Sequence, residues 1–229
     1  MSLVAHYKFR DNAATEIITD SAGTNTGTLV DGASNLTSAH QAVGPLDKAF
    51  EFDGADDRFT VVADASINIS DNTEYSVVVW VRLKPNGLTY HGMLAKGSHI
   101  FFINSNGQIY SEIAHATTVA SAKTTIGDVS IGEDKWVMVV MTYNEDADKK
   151  IKHYIDGELI ANSDTDQAGV DAITDDSGSS LIVGCNAVAT SHFIEGKVAD
   201  YRIYDHALTA HEVLVLYEQF AIWEYDYEN

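Results

Sequence analysis

The 229 residues predict an all-β chain, an antiparallel two-sheet sandwich closed by one short C-terminal helix. Three observations lead there. Apolar, β-branched runs of strand length recur along the chain, the clearest being Tyr75-Ser-Val-Val-Val-Trp-Val81 and Trp136-Val-Met-Val-Val-Met-Thr-Tyr143. Both are too short and too rich in Val for helices. Asx-Gly pairs, which favour the left-handed backbone of tight turns, punctuate the runs at Asp53-Gly54, Asn106-Gly107 and Asp156-Gly157. Near the end, Thr209-Ala-His-Glu212 has the spacing of a capping box, in which hydroxyl and carboxylate each bond the other's backbone amide. Val213, Leu214, Leu216, Tyr217 and Phe220 then recur at helical spacing.

In chain order, Val4–Phe9 alternates and reads as an opening strand with Tyr7 and Phe9 on one face. A polar loop of Asp, Ser, Asn and Gly follows over Ile18–Leu29. Ala49–Val62 gives two short strands around the Asp53-Gly54 turn. Glu74–Leu83 is a well-covered strand, ended by Lys84-Pro-Asn-Gly87. Ile100–Tyr110 is a hairpin turning at Asn106-Gly107, and Lys150–Ile155 turns at Asp156-Gly157 into Glu158–Ala161. Leu181–Gly184 precedes a last strand, Gly196–Tyr204, in which Asp200 is the residue whose role goes beyond packing. The stretch Trp223–Asn229 is acidic and aromatic, a docked strand or a frayed end. The domain spans 1–222 and the tail 223–229, with no internal repeat or linker.

Composition excludes several classes. A formal charge of −20 opposes binding to nucleic acid or an anionic membrane through a bulk field. Cys185 is the sole cysteine, so no intrachain disulfide exists. No apolar run is long enough to span a bilayer, and the first residues do not read as a signal peptide.

The order of these segments resembles the laminin-G-like, concanavalin A-like jelly-roll domains. The resemblance rests on Tyr7-Lys-Phe9, Asp20-Ser-Ala-Gly-Thr-Asn25 with Gly27-Thr-Leu29, Phe50–Asp57, Tyr75–Val81 and Leu94–Gly97. It continues through Trp136–Tyr143, Tyr154–Leu159, Gly196–Tyr204 and Ala207-Leu-Thr209. It spans roughly residues 3–220 and implies a jelly-roll sandwich, with Trp80 and Trp136 in packing positions. It further implies one structural calcium where the first loop meets the last strand. Calcium needs six to eight hard oxygens, and the matching positions are Asp20, Asn25 and Asp200. Asp53 is a further candidate, and Gly23 or Thr24 would offer backbone carbonyls. The alternative is that Asp20 makes an Asx turn, Asp53 starts a hairpin and Asp200 pairs with an arginine.

Other acidic strings are weaker. Asn144-Glu-Asp-Ala-Asp148 has Lys149 where an EF-hand loop needs Gly and Ile155 where it needs Glu. Asp164–Gly169 and Asp175-Asp176 read as solvated loops. The fold's glycanases resemble this chain but carry a Glu-x-Asp-x-x-Glu strand. The nearest strings here, Glu51-Phe-Asp53 and Asp156-Gly-Glu158, lack the third acid or form a turn. Sugar recognition would instead use loop residues: Tyr90, His91, His99, His115, Asn186 and His192 are the candidates. The sequence therefore predicts a non-catalytic, calcium-stabilised module binding carbohydrate or a cell-surface ligand, at an extracellular or particle surface. Partners are a glycoconjugate and, as alternatives, a protein or a second copy. A structural, assembly or adhesion domain of a virion or surface protein is the second reading, and a glycoside hydrolase the third.

Overall fold

The computed structural model describes residues 2–84, 90–124, 129, 133 and 135–227, and at 122–124, 163–166 and 221–227 the backbone alone. Pro85-Asn-Gly87, expected to end the strand Glu74–Leu83, lies outside these residues. Two antiparallel sheets pack face to face. The first has eight strands, in the order Glu158–Ile160, Ile151–Ile155, Val137–Asn144, Glu74–Leu83, Glu195–Tyr204, Lys48–Asp53 and Gln41–Val43. Leu3–Tyr7 also pairs with Glu195–Tyr204, so the first strand lies beside the last. The second has nine strands: Asn162–Gln167, Val119–Thr124, Ile109–Ala114, His99–Asn104, Tyr90–Lys96, Leu181–Val183, Arg58–Val61, Gly27–Val30 and Ile17–Ile18.

Alternation along each strand builds the core. Tyr7, Phe9, Phe50, Phe52, Phe59, Tyr75, Phe101, Ile103 and Tyr201 all face inward with no exposed surface. Glu74–Leu83 is apolar throughout because both its faces are covered. Tyr75, Val77, Val79 and Val81 enter the inter-sheet core. Val78 and Trp80 face outward, into a second cluster made with the C-terminal helix, Ala210–Tyr227. Thr209 and Glu212 form the expected box: Thr209 N–H donates to Glu212 Oε2 (2.8 Å) and Glu212 N–H to Thr209 Oγ1 (3.3 Å).

Asn106-Gly107 and Asp156-Gly157 turn as expected; Ile109 pairs with Ile103, and Glu158 with Ile155. Asp156 and Gly157 both take positive φ (49° and 88°), the requirement of a type I′ hairpin. Two expectations change. The Asp53-Gly54 turn does not join paired strands: Lys48–Asp53 belongs to the first sheet and Arg58–Val61 to the second. The buried Asp57 carboxylate accepts the Asp53 N–H at 2.8 Å and fixes this crossing. At the other end, the stretch after Phe220 is neither strand nor frayed end, since the backbone stays helical through Tyr227. No Gly or Pro interrupts it between Phe220 and Tyr227, and the helix crosses the expected boundary at 222/223.

Candidate functional site: an aromatic surface on the second sheet

The hairpin His99–Asn104/Ile109–Ala114 places Phe101 and Ile103 in the core, so Phe102 points the other way. Its cross-strand partner is Tyr110, on the same outer face, and the two rings lie 5.0 Å apart. Tyr90, opening the neighbouring strand Tyr90–Lys96, packs edge-on against Phe102 at 4.5 Å and against His192 at 4.8 Å. The Tyr110 hydroxyl donates to the Glu112 carboxylate, which is half-buried beside it. Burial and that carboxylate both raise the phenol's pKa, so Tyr110 stays a neutral donor–acceptor.

His192 and Asn186 reach this surface on the loop over residues 184–192. Gly92 N–H donates to the His192 carbonyl (2.8 Å), and Gly184 N–H to the Gly92 carbonyl (2.9 Å). A side chain at position 92 would drive into the Cys185 carbonyl, so only glycine lets the loop lie this close. Asn186 holds the loop's own turn, accepting from Thr190 N–H and donating to Ser191 Oγ, both at 2.9 Å. Ala189 and His192 sit at φ 53° and 62°, strained for non-glycine residues and found where the surroundings over-determine the backbone. Between loop and sheet lies a cleft of about 210 Å³, with Leu94, Ile100 and Phe102 on one side and Asn186, Val188 and His192 on the other.

Tyr90, Asn186 and His192 thus come together, while three other candidates are corrected. His91, His99 and His115 are at most 5% exposed and are core histidines. Burial pushes the His91 pKa down to about 4. His99 donates from Nε2 to the Thr174 carbonyl (3.1 Å) and accepts Ala114 N–H at Nδ1 (3.0 Å). His115 Nδ1 donates to the Ile113 carbonyl (2.9 Å), and its Nε2 meets the Tyr143 hydroxyl (2.9 Å). Phe102, Tyr110 and Glu112, which complete the surface, went unrecognised in the sequence. Their signal is the period of two on either side of Asn106-Gly107.

Of the calcium candidates, Asp20 and Asn25 meet in one loop. Asp20 Oδ1 accepts from His6 N–H (2.8 Å) and Ala22 N–H (2.9 Å), and Oδ2 from Asn25 N–H (3.0 Å). Gly23 leaves a cradle open here, since a Cβ there would lie 2.9 Å from the Val4 carbonyl oxygen and 3.0 Å from Asp20 Oδ2. The Asn25 side-chain nitrogen is the next group, 3.7 Å away, and it donates to the Val4 carbonyl (3.2 Å) and to Ser66 Oγ (3.0 Å). Of these groups the Asp20 carboxylate and the Val4 carbonyl offer the hard oxygens a cation takes, whereas Asn25 presents its amide nitrogen. The Thr24 carbonyl is already bonded to Thr26 N–H (2.9 Å). Asp200 does not close the set as expected. It occupies a bulge of the last strand at φ 48°, and its carboxylate binds Arg202 (2.7 Å) and His6 Nε2 (2.5 Å). Asp53 is also elsewhere, grouped with Asp56 and Asp57 at the crossing between sheets. There, burial raises the Asp57 pKa to about 6. Glu51, on the same strand as Asp53, is ion-paired to Lys84 at 2.6 Å, and Asp156 accepts Met138 N–H inside its hairpin turn.

Among the described residues, no helix is long and apolar enough to cross a membrane. The fold is shared with solved structures of low identity. Domain 4 of a GH43 extracellular arabinanase from Geobacillus stearothermophilus, solved with arabinotriose, superposes at TM-score 0.66 and 21% identity, over 94% of this chain and 98% of that one. The botulinum neurotoxin serotype D ligand-binding domain, solved with N-acetylneuraminic acid, gives 0.64 and 16%, over 95% of this chain and 51% of its own. Trypanosoma rangeli sialidase gives 0.63 and 16%, over 94% and 32%. The chain thus spans about half the length of the neurotoxin domains it matches. No curated protein matches by sequence. The model of the concanavalin A-like lectin/glucanases superfamily matches residues 53–214, and the chain belongs to that family.

Proposed function

We propose that this chain is a non-catalytic, extracellular carbohydrate-binding module whose sugar site is the aromatic surface of the second sheet. The carrying observation is the contact of Tyr90 and Tyr110 with Phe102, which with His192 and Asn186 lines an apolar cleft. A sugar ring presents an apolar C–H face and equatorial hydroxyls, matching aromatic rings flanked by an amide and the Glu112 carboxylate. The helix covers the outer face of the opposite sheet, so it does not compete for this one. Binding of arabinotriose by the similar arabinanase domain supports the reading. Calorimetric titration with arabinotriose and a glycan array tests it. A neutral oligosaccharide should bind, and Tyr110→Ala should weaken it about tenfold, the equivalent of one lost stacking contact. Equal binding by wild type and Tyr110→Ala would remove this surface as the site.

Calcium belongs to the same proposal as a scaffold ion, with Asp20 and the Val4 carbonyl as its first donors and no part in chemistry. An ion held only by the folded state adds stability, about 2.7 kcal/mol at a hundredfold excess over its dissociation constant. Millimolar calcium should raise the melting midpoint of chelator-treated protein. Gly23→Ala, which fills the cradle, should abolish the response, and Lys8→Gln should keep it. A midpoint indifferent to calcium in wild type would return Asp20 to purely structural hydrogen bonding.

A further inference from the structure

A second, chemically different cavity lies at the junction of the first and last strands. It is a groove of about 180 Å³ on the outer face of the first sheet, lined by His6, Lys8, Arg10, Lys48, Asp200 and Arg202, with Leu46 and Asp47 at its rim. The whole chain has 14 lysines and arginines against 34 acids, yet four of those cations converge here. Two are neutralised: Arg10 Nε lies 2.6 Å from Asp47 and Arg202 2.7 Å from Asp200. Asp200 also holds the His6 ring at 2.5 Å, so neither carboxylate is left for a third cation. Lys8 and Lys48 have no carboxylate within ion-pair distance among the described residues. Arg202 also lines the groove, and its buried Nε–H meets no acceptor among the described residues. Two ammonium groups without a carboxylate partner, beside one hollow, are placed to attract an anion.

We propose that this groove binds a compact oxyanion, the carboxylate or sulfate of an acidic saccharide, with Lys8 and Lys48 as counter-charges. The overall field of the chain repels anions at long range, but salt screens it beyond about 8 Å, leaving the local cations to act. The groove is smaller than the roughly 300–1,000 Å³ of ordinary ligand pockets, so it takes one charged sugar residue and not an extended chain. It stands on the opposite sheet from the aromatic surface and does not depend on the reading of that surface.

The test is titration of the intact chain, followed by NMR or calorimetry, with glucuronic acid, glucose 6-sulfate, inorganic sulfate and, as control, glucose. Glucuronic acid or glucose 6-sulfate should bind more tightly than glucose, and more weakly at high salt. The double variant Lys8→Gln/Lys48→Gln should lose about tenfold or more in affinity. Both lysines retain solvent contact, so the variant is expected to fold, and its melting midpoint checks that. Tyr110→Ala should bind the anionic sugars as wild type does, which separates this site from the aromatic one. Equal affinity for glucose and glucuronic acid, or no loss in the double variant, overturns the proposal. Binding of inorganic sulfate alone overturns the saccharide assignment.

Discussion

Replacing Trp80 by alanine is expected to cost about 3–5 kcal/mol of stability, the range for removing a large buried aromatic side chain. Trp80 is 1% exposed, although it faces outward from its sheet. Its ring stacks on Tyr217 at 5.9 Å and meets Phe220 at 4.5 Å, both on the C-terminal helix. Around it, Val78, Met138, Val140, Tyr154, Leu208 and Val213 complete the seal between helix and sheet. Trp80→Ala therefore acts on two links at once: it opens a cavity and it loosens the helix. Urea unfolding should show the lower midpoint, and limited proteolysis should cut the helix of the variant before the sandwich. A loss below about 1 kcal/mol, well short of the range for buried aromatics, with the helix still protected, would show that Trp80 does not anchor it. The same experiment separates packing from sugar contact, since a packing tryptophan leaves glycan binding intact wherever the variant remains folded.

The second large effect is acid sensitivity. His153 is completely buried and His91 is 1% exposed, and burial lowers both pKa values to about 4. Burial keeps His153 neutral against the opposing pull of Asn162 Oδ1, 3.2 Å from Nδ1, while Nε2 lies 2.9 Å from Ser111 Oγ. In the unfolded chain these rings titrate near about 6.5. Below that pH the unfolded state takes up protons that the folded state refuses until about 4. The contribution to stability is thus complete above about pH 6.5 and drains away as pH falls toward 4, by about 2–3 kcal/mol per histidine at pH 4.5. His40 and Asp57 work against this trend, because both have raised values and favour the protonated form in the fold. Urea midpoints measured from pH 7.5 to 4.5 should fall steeply in wild type. They should fall less in His153→Gln, which keeps polar atoms for Ser111 and Asn162. An identical slope in the two proteins would show that His153 is not the proton-linked group.

How far the sequence alone reached follows a physical division. Strands with a period of two, Asx-Gly turns and the Thr209–Glu212 box are local arrangements, set by neighbours within a few residues, and each was legible. So was the burial of Glu74–Leu83, because a strand without a polar face must be well covered, while the helix on its outer face came from the structure. The Asp53-Gly54 crossing was not legible, since the local turn is the same whether the next strand pairs or changes sheet. What decides is the placement of Asp57. Histidine was the other blind spot. An imidazole fits solvent or core equally well, and only distant partners such as Thr174 for His99 or Ser111 for His153 make the core acceptable.

By itself, then, the sequence determined the class of fold, the turns that shape it, the helix that closes it, and the loop in which Asp20 and Asn25 meet. Tertiary structure decided which polar groups share a space. It gathered Tyr90, Phe102, Tyr110 and His192 from three strands and a loop into one surface. It turned Asp200 from an expected cation ligand into the partner of Arg202 and His6. It also brought Lys8 and Lys48, forty positions apart in the sequence, to one groove. Local geometry is encoded by near neighbours, whereas sites are built from contacts between strands whose pairing closes loops of tens of residues. No short-range pattern records which of those loops will close.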